Sequence, residues 1–304
     1  MTAAPLPRAL VAEAVGTSLL VLFGTGSVAA AVLTGAQVGL WQVAVVWGFG
    51  VTLAIYVSAR HSGAHLNPAV TLAFALTRRG AFPWARVLPY CGAQLAGAVL
   101  AGATVAALFW PFLLRFEARE GLVRGQPGSE QAAMVFGQYF PNPALFGTDA
   151  AAQALVSPLA ATLVEGFGTA VLVFVIFALT DPDNRAAPGA NLAPFFIGFT
   201  VAVLISLFAP ITQAGWNPAR DLGPRLVALA LGWGEIALPG PRWGFLAYLI
   251  GPLVGGPVGG WLYVTLLETR PPELAPAARV PLPDRAAPPA GTPRSGRDGT
   301  EAPR

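Results

Sequence analysis

The chain has 304 residues, 55% of them apolar and only 11% charged, with 18 Lys and Arg against 15 Asp and Glu. Soluble domains carry about 25% charged residues, so this composition belongs to a membrane protein. The net charge of +3 gathers in a tail holding Arg270, Arg279, Arg285, Arg294, Arg297 and Arg304, so no clustered basic face is left for a nucleic acid; one cysteine, Cys91, and two histidines exclude a disulfide framework, a thiolate metal site and a histidine cage. No cofactor is expected.

After a short N-terminal segment, 1–8, the first apolar segment covers 9–32. A secretory signal would also show a basic residue, Arg8, before an apolar run, but Glu13 inside the run argues for a permanent span. The second span is read at 41–59. A piece at 68–76 follows, opened by Asn67-Pro68-Ala69. At 1.5 Å per residue a ten-residue helix is about 15 Å long, half of a hydrocarbon core of about 30 Å, so this piece reaches the midplane and stops. It must therefore be buried in protein or line an aqueous cavity.

The third span is placed at 84–112, and 113–157 reads as a long loop of mixed charge containing Phe136, Tyr139, Phe140 and Phe146. Spans at 159–179 and 192–208 follow, then a second short piece, 218–231, opened by Asn217-Pro218-Ala219, and a sixth span at 243–267. From 269 onward Pro, Ala and Arg alternate with almost nothing to bury, which predicts a disordered tail. Arg8, Arg60, Arg78, Arg79, Arg86, Arg185 and the tail fall on one side of a six-span topology, which places both termini in the cytoplasm.

The halves 9–112 and 158–268 repeat each other. Glu13-Ala14-Val15-Gly16-Thr17 matches Glu165-Gly166-Phe167-Gly168-Thr169, and Ser62-Gly63-Ala64-His65-Leu66-Asn67-Pro68-Ala69-Val70 matches Thr212-Gln213-Ala214-Gly215-Trp216-Asn217-Pro218-Ala219-Arg220. Three full crossings per half invert the second half relative to the first. The fold class expected is an all-α membrane protein of six transmembrane helices and two re-entrant half-helices in an inverted repeat, with the working site at the midplane.

Asn is a favoured N-cap and Pro a favoured first helical residue, so each triplet reads as a helix start. With the Asn side-chain oxygen tied to the helix backbone, its NH2 is expected to be free to face a lumen, where two half-helix dipoles converge and disfavour cations. A third triplet, Asn142-Pro143-Ala144, has no span before it and reads as an ordinary turn. Glu13 and Glu165 lie inside spans and need partners. One reading makes them a proton relay; the other has each accept hydrogen bonds from the backbone leading into a half-helix. Arg220 replaces Val70 at the repeat-equivalent position and breaks the symmetry at membrane depth. His61 and His65 flank the mouth on the arginine-rich side, and His65 is expected to fasten the re-entrant loop rather than sense pH.

These residues resemble the major intrinsic protein family of aquaporins and glycerol facilitators, over about residues 8–268. The resemblance implies a homotetramer in the cell membrane, surrounded by lipid, whose subunits each pass small neutral solutes. It implies the structural role for Glu13 and Glu165, and a narrow filter of Trp47, Ile205, Ala214 and Arg220. Water-selective members carry a histidine where this chain has Ile205. Glycerol facilitators share the Trp and Arg but carry Gly and Phe in place of Ile205 and Ala214. The combination is similar to that of the nodulin-like channels of plants, whereas Asp221 and Arg225 match the glycerol-facilitator pattern. The function expected is a passive, non-enzymatic channel for glycerol with water that excludes ions and protons. The alternatives are a channel mainly for water or for metalloid hydroxides such as arsenous and boric acid, and a proton-coupled secondary transporter.

Overall fold

The computed structural model of the protein describes residues 5–37, 39–78, 82–189 and 191–268. The tail expected to be disordered, from 269 onward, lies outside the described residues. Among those residues the structure is helical, and six helices are long and apolar enough to cross a membrane.

Helix α1 (Leu6–Ala29) runs on through a widened turn, Ala30–Thr34, and ends at Gly35 in the left-handed conformation. It is followed by α2 (Leu40–Ser62), the half-length α3 (Pro68–Thr77) and α4 (Val87–Glu120). Three one-turn helices, α5 (Glu130–Ala133), α6 (Pro143–Phe146) and α7 (Ala150–Ala154), sit in the connection to α8 (Pro158–Thr180). Then come α9 (Ala193–Thr212), the half-length α10 (Pro218–Ala228), the short α11 (Gly234–Ala237) and α12 (Phe245–Leu266).

The third span is longer than its sequence suggests. Instead of ending near residue 112, α4 continues to Glu120, giving 34 residues or about 51 Å at 1.5 Å per residue. Leu113 and Phe116 explain this. They are buried with Phe136 and Trp233, so an apolar stripe persists after Arg115, Glu117 and Arg119 have appeared on the other faces. Glu117 accepts from Arg124 Nε and Nη2 at 2.7 and 3.0 Å, and Gly121, with φ of 66°, ends the helix. The triplet at Asn142 also differs from a plain turn. Its Oδ1 caps α6 through Ala144 N at 3.0 Å, while its Nδ2 donates to Ala209 O at 3.1 Å and anchors the connection to the end of α9.

The packing has the expected internal symmetry. Helix α1 lies on α2 and α4, as α8 lies on α9 and α12, while α2 and α9 cross between the halves. At that crossing a Cβ on Gly48 would stand 2.6 Å from Gly198 O, and one on Gly198 would stand 2.2 Å from Gly48 O, so only glycine allows this approach. The half-helices are exchanged: α3 packs on α12, and α10 packs on α4. Each therefore rests on the last long helix of the other half, with the N-termini of α3 and α10 directed at one another.

Candidate functional site

Each half-helix is preceded by a short segment that folds against its preferences. Ala64 and Leu66 before α3 have φ of 53° and 52°, and Gln213, Ala214 and Trp216 before α10 have φ of 56°, 57° and 48°. Left-handed backbone costs a residue other than glycine about 1–3 kcal/mol, so something must hold these segments. The span carboxylates do. Glu13 accepts from His65 N at 2.9 Å, Leu66 N at 2.7 Å and Gln94 Nε2 at 2.8 Å. Glu165 accepts from Gly215 N at 3.0 Å, Trp216 N at 2.7 Å and Thr212 Oγ1 at 2.6 Å.

One turn along from each carboxylate a glycine makes room for the residue before the Asn. A Cβ on Gly16 would lie 2.6 Å from Leu66, and one on Gly168 would lie 2.2 Å from Trp216. The side-chain oxygen of Asn67 caps α3 by accepting from Ala69 N at 2.8 Å, and that of Asn217 caps α10 by accepting from Ala219 N at 3.1 Å and Arg220 N at 3.2 Å. Pro68 and Pro218 take the first helical positions, where no N–H is needed.

The Asn amides are not free, which corrects the sequence-based expectation. Asn67 Nδ2 donates to Trp216 O at 2.9 Å and Asn217 Nδ2 to Leu66 O at 2.8 Å, so each side chain also ties its half of the molecule to the other. The left-handed turns explain the pairing, because they rotate the carbonyls of Leu66 and Trp216 out of any helical ladder and toward the opposite Asn. Each NH2 has two protons, so one is left for a solute. Both residues line a cavity of about 250 Å3 that runs along α2, α8 and α9.

A second cavity, of about 460 Å3, opens on the side of the long α4–α8 connection. Trp47 and Arg220 are the two described residues that line both cavities, which marks the constriction between them. The Arg220 guanidinium carbon stands 4.1 Å from the Trp47 ring centroid, a cation–π contact that fixes one donor plane against one apolar wall. Arg220 Nη1 is buried with no partner in the protein. Ile205 and Ala214 border the first cavity, beside this pair.

The other residues singled out in the sequence do not line the constriction, although His65 borders the first cavity. Arg225 donates through Nε to Asp221 Oδ2 at 2.9 Å and through Nη2 to Oδ1 at 2.8 Å, and both residues are 1% exposed. Arg225 also reaches Gln138 O at 2.6 Å and Ala237 O at 2.9 Å, while Asp221 Oδ1 accepts from Gln138 N at 2.9 Å. This pair borders neither of the two cavities that meet at the constriction; it locks the long connection onto α10. The His65 ring stacks on Phe74 at 4.9 Å, and its Nδ1 lies 3.2 Å from Thr71 Oγ1. His61 is an exposed residue in the last turn of α2.

Several contributors escaped the sequence reading. Tyr90 Oη donates to Ser62 O and Tyr248 Oη to Thr212 O, both at 3.0 Å, closing the same span end in each half. Their positions match in the repeat to within one residue of the spacing of neighbouring glycines, and that was the available signal. Gln94, which bridges Glu13 and Thr71 Oγ1, has an apolar counterpart in α12 and offered none.

Six crossing helices, two half-helices meeting end to end and two cavities joined at one constriction define a multi-pass membrane protein built around a passage. The chain belongs to the Major intrinsic protein family, whose sequence profile matches residues 1–263. It is 42% identical over 291 residues to the Glycerol uptake facilitator protein of Pseudomonas aeruginosa, covering 94% of this chain and 99% of that protein. It is 42% identical over 259 residues to the Glycerol uptake facilitator protein of Escherichia coli K12, covering 84% and 87%. Its fold is similar to the X-ray structure of the aquaglyceroporin from Plasmodium falciparum, with a TM-score of 0.72 at 25% identity over 86% of this chain and 97% of that one.

Proposed function

We propose that this protein is a passive channel carrying glycerol, with water, across the cell membrane while excluding ions and protons. The observation that carries the reading is the constriction, where the flat Trp47 ring faces a guanidinium 4.1 Å away. A linear polyol has one edge of carbon and one of hydroxyl. Trp47 offers a wall to the first, and the unpartnered Nη1 of Arg220 offers a donor to the second. Beyond this point the passage is largely apolar until the remaining Asn67 and Asn217 protons, so a solute sheds hydration where donors replace it.

The names of the relatives from Pseudomonas aeruginosa and Escherichia coli support glycerol as the solute. Cation exclusion follows from the Arg220 charge together with the positive ends of α3 and α10, which meet at the centre. The orientation proposed puts both termini, the α2–α3 loop and the α8–α9 loop in the cytoplasm. The assembly proposed is the homotetramer that the resemblance implies, checked by native mass spectrometry from lipid nanodiscs.

Proton-coupled transport is disfavoured by the carboxylates. Glu13 and Glu165 are both 0% exposed, are each occupied by three donors, and line neither cavity. Stopped-flow light scattering on proteoliposomes, with glycerol, water, urea and arsenous acid compared, tests the channel. Non-saturating glycerol flux is expected, and uphill glycerol accumulation driven by a proton gradient would exclude it.

A further inference from the structure

We propose that Gly24 of α1, which lines neither cavity, is a positioning residue that sets the width of the constriction by seating the Trp47 ring. A Cβ built on Gly24 would stand 2.2 Å from Trp47 Cε3 and Cζ3 and 2.3 Å from Cδ2. The indole therefore lies directly on the α1 backbone. Carbon atoms in contact settle at about 3.5 Å, so one added methyl requires ring or helix to retreat by about 1.3 Å.

The helix is poorly placed to retreat. One residue away, a Cβ on Gly50 would already meet Phe23 Cβ at 2.9 Å, so α1 and α2 are also in close contact beside the ring. Trp47 is 4% exposed and backs onto a packed cluster with Leu20, Val21 and Ala44. The open direction is the passage, toward Arg220. A side chain at position 24 thus narrows the constriction from behind without touching a solute.

This inference rests on the glycerol-and-water reading, and the experiment separates the two. Wild type, Gly24→Ala, Trp47→Phe and Gly24→Ala/Trp47→Phe are reconstituted, and glycerol and water permeabilities are taken per folded protein. Gly255→Ala serves as packing control, since its Cβ would stand 2.0 Å from Gly166 O between α12 and α8 and its nearest neighbours all belong to Gly166 rather than the ring. Gly24→Ala is expected to lower glycerol permeability about tenfold and water less than about threefold, because the smaller solute tolerates narrowing. Gly255→Ala is expected to reduce folded yield with the glycerol-to-water ratio unchanged.

Phe lacks Cε3 and Cζ3, two of the three atoms that meet the added methyl, and its smaller ring has room to shift from the third. In the Trp47→Phe background the effect of Gly24→Ala on the ratio is therefore expected to shrink to less than about twofold, the mark of two coupled residues. A wild-type protein that passes no glycerol overturns the functional reading. A wild type that passes it, with a ratio unchanged by Gly24→Ala, overturns the seat alone. If Gly24→Ala yields no folded protein, recovery of folding in the double variant supports the seat and failure to recover overturns it.

Discussion

The two halves of the passage are nearly the same at its centre and diverge one helical turn away. At the centre each half uses a span carboxylate, left-handed residues ahead of the half-helix and an Asn whose amide reaches the other half's carbonyl. Three residues beyond the Asn, Val70 is buried with Phe177 and Tyr263, whereas Arg220 stands against Trp47 at the constriction. Beyond that, α10 is bound to the long connection through Asp221 and Arg225, and α3 carries no such pair. The difference teaches that the repeated part builds the backbone of the passage, while the departures from symmetry select what crosses it.

The largest effect should come from the repeated part. Glu165→Ala leaves Gly215 N, Trp216 N and Thr212 Oγ1 without their acceptor, each at about 1–3 kcal/mol, beneath a backbone already in strained conformations. Little monodisperse protein is expected in detergent. Glu13→Ala should be somewhat milder, because Gln94 Nε2 keeps a second acceptor in Thr71 Oγ1 at 3.0 Å. Full folding and flux in either variant would show that the carboxylates do not hold the loops.

Next in size is the asymmetric residue. Arg220→Val gives the second half the side chain of the first, removing the charge while keeping the helix. Proton conductance, read with a pH-sensitive dye in liposomes, is expected to rise at least about tenfold as the electrostatic barrier falls. Unchanged proton tightness would assign exclusion wholly to the half-helix ends.

The Asn residues come third and test how equal the halves are. Asn217 caps two N–H groups and Asn67 one, and a lost cap costs about 1 kcal/mol. Asn217→Leu is therefore expected to lower thermal stability and glycerol flux more than Asn67→Leu, with flux down several-fold in both. Equal losses would place the whole effect in the shared cross-half bonds, and unchanged flux in both would move the pathway elsewhere.

Much of this was legible in the chain because the bilayer leaves few options. Segment length separated spans from half-helices, Asn-Pro marked where α3 and α10 begin, and a repeat near 150 residues paired Glu13 with Glu165. What the sequence hid was contact across the repeat. The bonds from Asn67 to Trp216 O and from Asn217 to Leu66 O depend on left-handed turns at residues with no visible preference for them. The extension of α4 depends on Leu113 and Phe116 finding Phe136 in the following loop and Trp233 more than a hundred residues further along the chain, and charged neighbours disguised that stripe. Asp221 and Arg225 were visible as a pair, but their partner, the Gln138 backbone, carries no side-chain signal.

The smallest effect expected sharpens the comparison most, because it acts on the asymmetric constriction and leaves the repeated frame alone. Ala214 is 2% exposed, borders the first cavity and has φ of 57°. Since alanine already occupies left-handed backbone there, Phe adds little backbone strain and its effect is one of space. Ala214→Phe places a ring beside Trp47 and Arg220, while Ile205 on α9 keeps the remaining side filled. Glycerol needs room for a carbon chain and its hydroxyls together, and water needs room for a single oxygen. The glycerol-to-water permeability ratio in liposomes at matched protein density should therefore fall about two- to fivefold. In an Ile205→Gly background, which empties the opposite side, the same substitution should cost less. An unchanged ratio in both backgrounds would mean that residue 214 does not reach the constriction, leaving Trp47 and Arg220 to form it with other neighbours.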